Sequence, residues 1–180
     1  MDINPRTLLI ASQDLEDPYF KQSVILIVEH TEDHTIGLIL NLPLQVTCAE
    51  IVSQFELSWH STNEMVLHGG PVESNMLWIL HSDGWPFDHN VIFQGVGLSV
   101  TKEALSVLCK TQSERVKLFS GYSGWGPGQL QREIDEGSWF MVDADADFVF
   151  DTSISQMWEE ALALLGIDAN LMMSSTDWEH

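Results

Sequence analysis

The segment from Gly121 to Gly128 is where residue types and spacing come nearest to a reactive motif, with four glycines in eight residues. A phosphate-binding P-loop needs a lysine followed by serine or threonine, and this segment contains no lysine. A serine nucleophile elbow, Gly-x-Ser-x-Gly, fits at Gly121 and Ser123 but has Trp125 in its final position. The sequence therefore favours a structural turn at this segment over phosphate binding or nucleophilic catalysis.

The same segment predicts a corner between a strand and a helix. Pro127 suits the first helical position and Gly126 suits the N-cap before it. In this register Trp125 precedes the cap and Leu130 is the fourth helical residue, which is the pairing of a hydrophobic staple. Gly137 is then the glycine expected just past the end of the helix. The glycines are thus assigned to backbone geometry.

Asp143, Asp145 and Asp147 alternate along the chain as the first ligands of an EF-hand calcium loop do. Phe148 stands in place of the loop's glycine and Ile154 in place of its bidentate glutamate, so the match is incomplete. On a strand, alternate residues share one face, and we interpret the three carboxylates as a solvated sheet edge. A weak divalent-cation site is the alternative.

Histidines near a predicted hairpin tip give a second candidate metal set. Glu29, His30 and His34 would need His68 or His81 to complete it, because a chelating site requires three or four converging ligands. Their spacing matches no chelating motif. The sequence therefore predicts polar loop histidines, with no metal and no cofactor.

Charge is the unusual bulk property of the chain. Its 180 residues include 27 acidic and 7 basic side chains, a formal net charge of -20, and no Lys or Arg follows Asp143. Such a surface repels phosphate backbones and anionic lipid headgroups. We therefore expect neither direct nucleic-acid binding nor membrane binding.

The two cysteines, Cys48 and Cys109, have no paired spacing and adjoin apolar residues of predicted helices, which favours structural thiols. The N-terminal residues lack the basic-then-apolar form of a secretory signal. The longest apolar run, Val24 to Val28, is far too short to cross a bilayer. We therefore expect a cytoplasmic protein with free thiols.

Apolar runs between turn residues predict short strands joined by hairpins, and amphipathic patterns predict four helices. Strands outnumber helices, so the predicted fold class is α+β: an α/β sandwich with a largely antiparallel or mixed curved sheet flanked by helices. We expect one domain over residues 1–180, with a loosely ordered tail at 167–180. The predicted strands are 7–11, 24–28, 35–41, 65–68, 76–81, 91–99, 116–122 and 139–142, and the helices are 47–55, 101–110, 127–136 and 153–165.

The sequence resembles the YqgE/AlgH family of bacterial proteins in four motifs that follow the family's order over roughly residues 7–142. Leu42 stands where a basic residue is expected and His68 where an aromatic one is usual, each beside a motif. The resemblance implies a one-domain α/β sandwich with an uncharacterised or loosely regulatory role, and members are often described as transcriptional regulators. The family has no established catalytic residues, so the resemblance assigns none. The motifs are Asp17-Pro-x-Phe20 with Ser23-Val24 and Glu29-His30; Gly37-Leu-Ile-x-Asn41-x-Pro43; Gly69-Gly-Pro-Val72; and Gly121-Tyr-x-Gly-Trp125 with Gly128-Gln-Leu130 and Glu133-Ile134.

Aromatic rings beside glycine-rich backbone have the composition of interaction hot spots. We therefore hypothesise a non-catalytic protein-interaction or regulatory module, a monomer or weak homo-oligomer that receives a segment of a partner protein in a shallow cleft. One alternative is a hydrolase or small-ligand enzyme that uses Glu29, His30 or Ser123, and another is a transcriptional regulator that acts without DNA contact. The expected cleft residues are Asp17, Pro18, Phe20, Gly69, Gly70, Pro71, Tyr122, Gly124, Trp125 and Gln129.

Overall fold

Ten strands and five α-helices are formed by residues 2–171, the part of the chain that this computed structural model describes. The strands form one curled, largely antiparallel sheet with helices packed against it, so the predicted α+β fold is confirmed. No helix in this part of the chain is both long and apolar enough to cross a membrane. The strands are β1 (Thr7–Ala11), β2 (Val24–His30), β3 (Thr35–Ile39), β4 (Pro43–Thr47), β5 (Met65–His68), β6 (Val72–His81), β7 (Asn90–Phe93), β8 (Val96–Ser99), β9 (Val116–Trp125) and β10 (Trp139–Asp143), and the helices are α1 (Cys48–Ser53), α2 (Lys102–Lys110), α3 (Gln129–Asp135), α4 (Ala146–Asp151) and α5 (Met157–Leu164).

Strand β9 joins the two halves of the sheet. Its residues 116–120 pair with β6 on one edge, while on the other edge residues 119–120 pair with β5 and residues 123–125 pair with β3. The neighbours follow the order β10-β1-β2-β3-β9-β6-β8-β7, with β4 attached through β5. The β5–β9 pairing is parallel and the other pairings are antiparallel. Both halves of the sheet are therefore positioned by one strand.

Gly121 lets β9 change direction between those halves. Its φ of +72° lies in the left-handed region, which glycine adopts without steric cost. Strand β6 carries a bulge opposite this point, because Val72 pairs with Tyr122 but the next pair is Leu77 with Ser120. A bulge adds residues to one strand and bends it locally. The sheet therefore turns where β6 and β9 are both irregular.

Three apolar clusters hold the helices onto the sheet. One face carries α4 and α5 and is called the inner face, where Met157, Trp158 and Leu162 pack with residues of β1, β2 and β3. On the outer face, α1 and α2 cover one half of the sheet and α3 covers the other half. The indole N–H of Trp158 donates to the carbonyl oxygen of Ala11 at 2.8 Å and fixes α5 on β1. The outer face thus has two separate helical covers.

Three helix ends form where their capping residues predict them. Thr47 and Glu50 form a capping box at α1, each side chain accepting from the other residue's N–H at 3.0 Å. The Thr101 hydroxyl caps α2 by accepting from the N–H of Ala104 at 3.2 Å. Gly137, with φ of +85°, follows α3 as the predicted left-handed cap, and its N–H donates back into the last turn.

The predicted start of α3 is wrong. Strand β9 continues through Trp125, and Gly128 is the N-cap in place of Gly126. A turn precedes the helix, closed by the N–H of Gln129 donating to the carbonyl of Gly126 at 3.1 Å. Gly128 has φ of +71° and follows Pro127, which is the residue pair of a type II turn. The proline therefore serves this turn, and Trp125 lies too far before the helix to be its staple.

The three alternating aspartates do not share a strand face, so the solvated-edge interpretation is wrong. Asp143 ends β10, while Asp145 caps α4 by accepting from the N–H of Phe148 at 2.7 Å. Asp147 lies on α4 and pairs with Arg115 at 2.7 Å. Within residues 2–171, no group of three or more His, Cys, Asp or Glu side chains is arranged to hold a metal ion.

Other boundaries also differ from the sequence predictions. Pro43 begins β4, an edge strand that tolerates proline at its first position, and β6 begins at Val72 rather than four residues later. Leu165, the last residue of the predicted helix 153–165, lies just past α5 and is 38% exposed. Of the predicted tail, Ala169 is buried, and residues 172–180 lie outside the described residues.

Candidate functional site

The turn at residues 69–71 crosses β9 at its bend, and we call this crossing the glycine junction. Gly69 donates its N–H to the carbonyl oxygen of Ser120 at 3.0 Å. The carbonyl oxygen of Gly69 accepts from the N–H of Ile39 at 3.0 Å and from the hydroxyl of Ser123 at 3.1 Å. One turn is thereby bonded to β3 and to both sides of the bend, so three of the four sequence motifs meet here.

Only glycine fits at the junction. A Cβ atom on Gly69 would lie 2.3 Å from the carbonyl oxygen of Gly121, and one on Gly70 would lie 2.2 Å from the carbonyl carbon of Tyr122. A Cβ atom on Gly121 would lie 2.5 Å from the carbonyl oxygen of Gly70. These atoms belong to the backbone and cannot rotate away. The three glycines are therefore required for the close approach of two backbone segments.

The turn that begins at Asp17 places an exposed aromatic ring beside the junction. The Asp17 carboxylate accepts from the N–H of Tyr19 at 2.8 Å and holds the turn. The Tyr19 ring is half-exposed and stacks on His68, with centroids 5.6 Å apart. Phe20 instead meets Trp139 edge-on at 5.9 Å. Because His68 directly precedes the junction's turn, the remaining motif, which begins at Asp17, also lies against the junction.

Trp125 is a buried structural residue of the outer face. It is 5% exposed, and its ring lies edge-on to Trp139 at 6.5 Å. Both indole N–H groups donate to one carboxylate oxygen of Glu133, at 3.3 Å from Trp125 and 3.1 Å from Trp139. The other Glu133 oxygen accepts from the Gln129 amide at 3.0 Å. Trp125 and Gln129 thus belong to a network that fastens α3 to the sheet.

Tyr122 and Trp125 lie on opposite faces of the sheet. The Tyr122 ring packs on the inner face, 5.4 Å from the ring of Trp78, while Trp125 belongs to the outer cluster under α3. The expected cleft residues are divided between the junction and the α3 network and lie in different layers, and their role in binding stays a prediction. Asp17, Pro18, Pro71, Gly124 and Gln129 are exposed, Phe20 and Tyr122 are half-buried, and Gly69, Gly70 and Trp125 are buried.

An apolar groove opens beside the junction, between α1 and the bulge of β6, and we call it the α1–β6 groove. Its volume is about 260 Å³. Phe55, which is 41% exposed, forms part of its wall, and Ser120, the β9 residue that pairs with His68, also lines it. Sequence reasoning missed this groove because the bulge appears only in the register of β6 on β9. The apolar lining comes from Leu44, Val46, Ile51, Val66, Met76 and Leu77.

Residues 8–170 match the AlgH-like protein family, DUF179. The chain belongs to the AlgH-like family. A UPF0301 protein of Photobacterium profundum is 34% identical over 173 residues, covering 91% of this chain and 92% of that protein. A UPF0301 protein of Ruegeria pomeroyi is 38% identical over 181 residues, covering 97% of this chain and 98% of that protein. The resemblance drawn from the four motifs is confirmed.

Solved structures share the fold of this AlgH-like chain. The solution structure of AlgH from Pseudomonas aeruginosa matches with a TM-score of 0.77 and 26% identity, covering 96% of this chain and 97% of that one. A crystal structure of a Corynebacterium diphtheriae protein matches with a TM-score of 0.75 and 24% identity, covering 90% and 87%.

The residues hypothesised for a hydrolase do not meet in this AlgH-like chain. Ser123 is 1% exposed, and its hydroxyl donates to a backbone carbonyl at the junction. His30 bonds to the Thr35 hydroxyl at 2.7 Å, and Glu29 pairs with His34 at 2.9 Å. Nucleophilic catalysis requires a base within hydrogen-bond reach of the nucleophile. Neither Glu29 nor His30 is such a partner of Ser123.

The two thiols of the AlgH-like chain are free and buried. Burial, helped by the Glu64 carboxylate, raises the pKa of the Cys48 thiol to about 12. Burial also raises the pKa of the Cys109 thiol and lowers the pKa of the nearby Lys117 amine. Both cysteines are therefore protonated at neutral pH and act as small apolar side chains.

Alkylation of Cys48 by iodoacetamide at pH 8 is expected to be about 100-fold or more slower in the native protein than in urea, because the thiolate is the reactive form, and alkylation of Cys109 is expected to be slower as well. Mass spectrometry of the two cysteine peptides measures both rates. The raised pKa also predicts that Cys48 stabilises the protein less as pH rises from 9.0 towards 12, since the unfolded thiol ionises first. Rapid native alkylation of Cys48 would contradict its buried position.

Proposed function

We propose that this protein is an interaction module that binds an apolar, basic segment of a partner protein in the α1–β6 groove. The observation that carries the proposal is Phe55, an aromatic ring 41% exposed at the wall of an apolar groove of about 260 Å³. A segment that enters such a concavity buries the aromatic ring and the groove floor together, which concentrates binding energy on few residues. The capping box at Thr47 holds α1, and hence this wall, in place.

The charge around the groove supports a basic partner. Glu50, Glu56 and Glu73 are exposed, and each adjoins a residue that lines the groove. The ammonium group of Lys102 lies 5.3 Å from the centre of the Phe55 ring, which is a cation–π distance. A Lys or Arg of the partner is attracted by these exposed carboxylates and by a chain of net charge -20.

The exposed residues at the glycine junction extend this proposed interface. Ser120 lines the groove and pairs with His68, on which the half-exposed Tyr19 ring stacks. Asp17 and Pro18 shape the turn that presents Tyr19. In this proposal the junction supplies rigidity, because a preordered backbone loses little conformational entropy on binding.

A binding role also sets the type of regulation we propose. With a net charge of -20, an effect on transcription passes through a protein partner and not through DNA contact. The free thiols favour the cytoplasm as the site of action. We assign this role to one domain, acting as a monomer or weak homo-oligomer.

Peptides selected on the purified full chain from a random display library are expected to combine apolar residues with Lys or Arg. Phe55→Ala is expected to weaken their binding about 30-fold, because losing a hot-spot aromatic costs about 2 kcal/mol or more. Fluorescence anisotropy measures the affinities. Leu164→Ala is the matched control, since Leu164 is also an exposed apolar residue, 53% exposed, but lies on α5.

The same peptides distinguish the contribution of electrostatic attraction from that of apolar burial. Their affinity is expected to fall as salt is added, because screening weakens attraction between exposed charges. Selection of acidic peptides would contradict the proposed partner chemistry. Equal affinities for wild type and Phe55→Ala would show that the groove is not the binding surface.

A further inference from the structure

A serine–histidine pair lies away from the α1–β6 groove and the glycine junction. His81 of β6 is fully buried, and Ser99 of β8 is 5% exposed. Ser99 Oγ is 2.7 Å from Nε2 of His81, and Nδ1 of His81 is 2.7 Å from the carbonyl oxygen of Ser82. A carbonyl oxygen only accepts hydrogen bonds, so in the neutral ring Nδ1 carries the proton. Nε2 then accepts a hydrogen bond from the Ser99 hydroxyl. A candidate nucleophile, a base and a group that orients the base are thus linked by two hydrogen bonds.

The fold keeps this imidazole neutral and gives it room. Burial lowers the pKa of His81, the adjacent His89 lowers it further, and the Ser82 carbonyl and the Asp83 carboxylate oppose the shift. Gly97 faces His81 across the β6–β8 pairing. A Cβ atom on Gly97 would lie 2.7 Å from Cε1 of His81 and 2.9 Å from Cδ2 of His89. The glycine therefore makes space for both rings, whose centroids are 5.2 Å apart.

Ser99 also borders an open groove of about 380 Å³, which Asp88, His89 and Thr101 help to line. Thr101 is the N-cap of α2, a helix of nine residues. The first N–H groups of a helix have no intrahelical partner and carry partial positive charge. Donors of this kind beside a nucleophile stabilise the oxyanion of a tetrahedral intermediate.

We propose that Ser99 is a nucleophile that forms an acyl-enzyme with small neutral carboxylic esters, with His81 as its general base. Ser99 Oγ bonds to the ester carbonyl carbon while its proton passes to Nε2 of His81. The bond from that carbon to the alkoxy oxygen then breaks, and the alcohol leaves with the proton. The Asp88 carboxylate in the groove and the net charge of -20 disfavour anionic substrates.

Water completes the cycle. A water oxygen bonds to the acyl carbon while one of its protons passes to Nε2 of His81. The bond between the acyl carbon and Ser99 Oγ breaks, and Oγ recovers that proton. One ester and one water give one acid and one alcohol, so no oxidant, metal or cofactor enters the balance. This activity is independent of partner binding in the α1–β6 groove.

A neutral fluorophosphonate probe, which phosphonylates nucleophilic serines, tests the proposal on the full chain. Peptide mass spectrometry is expected to place the adduct on Ser99 of the wild-type protein, and p-nitrophenyl acetate is expected to be hydrolysed. His81→Asn retains an amide donor towards the Ser82 carbonyl but lacks the base. Its labelling rate is expected to fall about 100-fold, within the usual range for loss of a general base.

Ser23→Ala is the matched control, because Ser23 is 3% exposed and its hydroxyl donates to the Phe20 carbonyl at 2.7 Å. Its labelling is expected to match that of wild type, while Ser99→Ala is expected to abolish the adduct. A wild-type chain without an adduct on Ser99 would overturn the proposal, and this result needs no variant to fold. An unchanged labelling rate in a folded His81→Asn variant would overturn it as well.

Discussion

Gly69→Ala is expected to destabilise the protein by about 3 kcal/mol or more, the upper range for overpacking a close contact. The added Cβ would lie 2.3 Å from the carbonyl oxygen of Gly121 and 3.0 Å from the Leu38 side chain. Leu38 can shift, but the Gly121 carbonyl belongs to the bend that joins both halves of the sheet. Urea unfolding followed by circular dichroism measures the loss.

Two other glycines separate the steric clash from backbone strain. A Cβ atom on Gly124 would meet its nearest atom at 3.6 Å, so Gly124→Ala is expected to change stability by less than about 0.5 kcal/mol. Gly84 has φ of +86° and nothing within 4 Å of such an atom, so Gly84→Ala is expected to cost about 1–2 kcal/mol from backbone strain alone. A stability of Gly69→Ala equal to that of Gly124→Ala would refute the close approach at the junction.

Trp125→Ala is expected to cost about 3–5 kcal/mol, as for other large aromatic truncations in a core. The side chain is 5% exposed, and its indole shares a Glu133 oxygen with Trp139. Truncation removes one of the outer cluster's contacts with α3 and one of the two indole donors to that oxygen. Thermal and urea unfolding measure the effect.

Trp125→Phe and Phe55→Ala distinguish a structural residue from a binding residue. Trp125→Phe keeps an aromatic ring and loses the indole N–H, so we expect an intermediate loss of about 1–2 kcal/mol. Phe55→Ala is expected to change stability by about 0.5 kcal/mol or less, because the ring is 41% exposed, while it weakens peptide binding. Full stability of Trp125→Ala would contradict its structural role.

The elements that could be predicted are those whose signals are local. The run from Val24 to Val28 indicates a strand buried on both faces, and all five residues are buried in β2. The capping box at Thr47 and the glycine at 137 mark helix ends because the relevant hydrogen bonds join residues within one turn. The motifs also allowed the family to be inferred, since each of them is a short local stretch of sequence.

The features that could not be predicted depend on contacts between distant segments. The residues near Pro43 do not indicate a strand by themselves, because β4 forms only by pairing with β5. The opposite faces of Tyr122 and Trp125 follow from their spacing on a strand that was expected to end at residue 122. The Ser99–His81 pair exists only through the register of β8 on β6. These contacts cannot be inferred from residue types alone.

The central place of β9 also dictates when the chain can fold. Strands β3 and β5 pair with β9, which follows them by long stretches of chain, and Trp158 bonds to Ala11 across 147 residues. Such long-range contacts slow folding because the chain loses loop entropy before the contacts form. During synthesis, we expect β2 and β3 to pair first and to keep an exposed apolar edge until β9 emerges from the ribosome. We expect this nascent intermediate to be the stage most dependent on chaperones and most prone to aggregate.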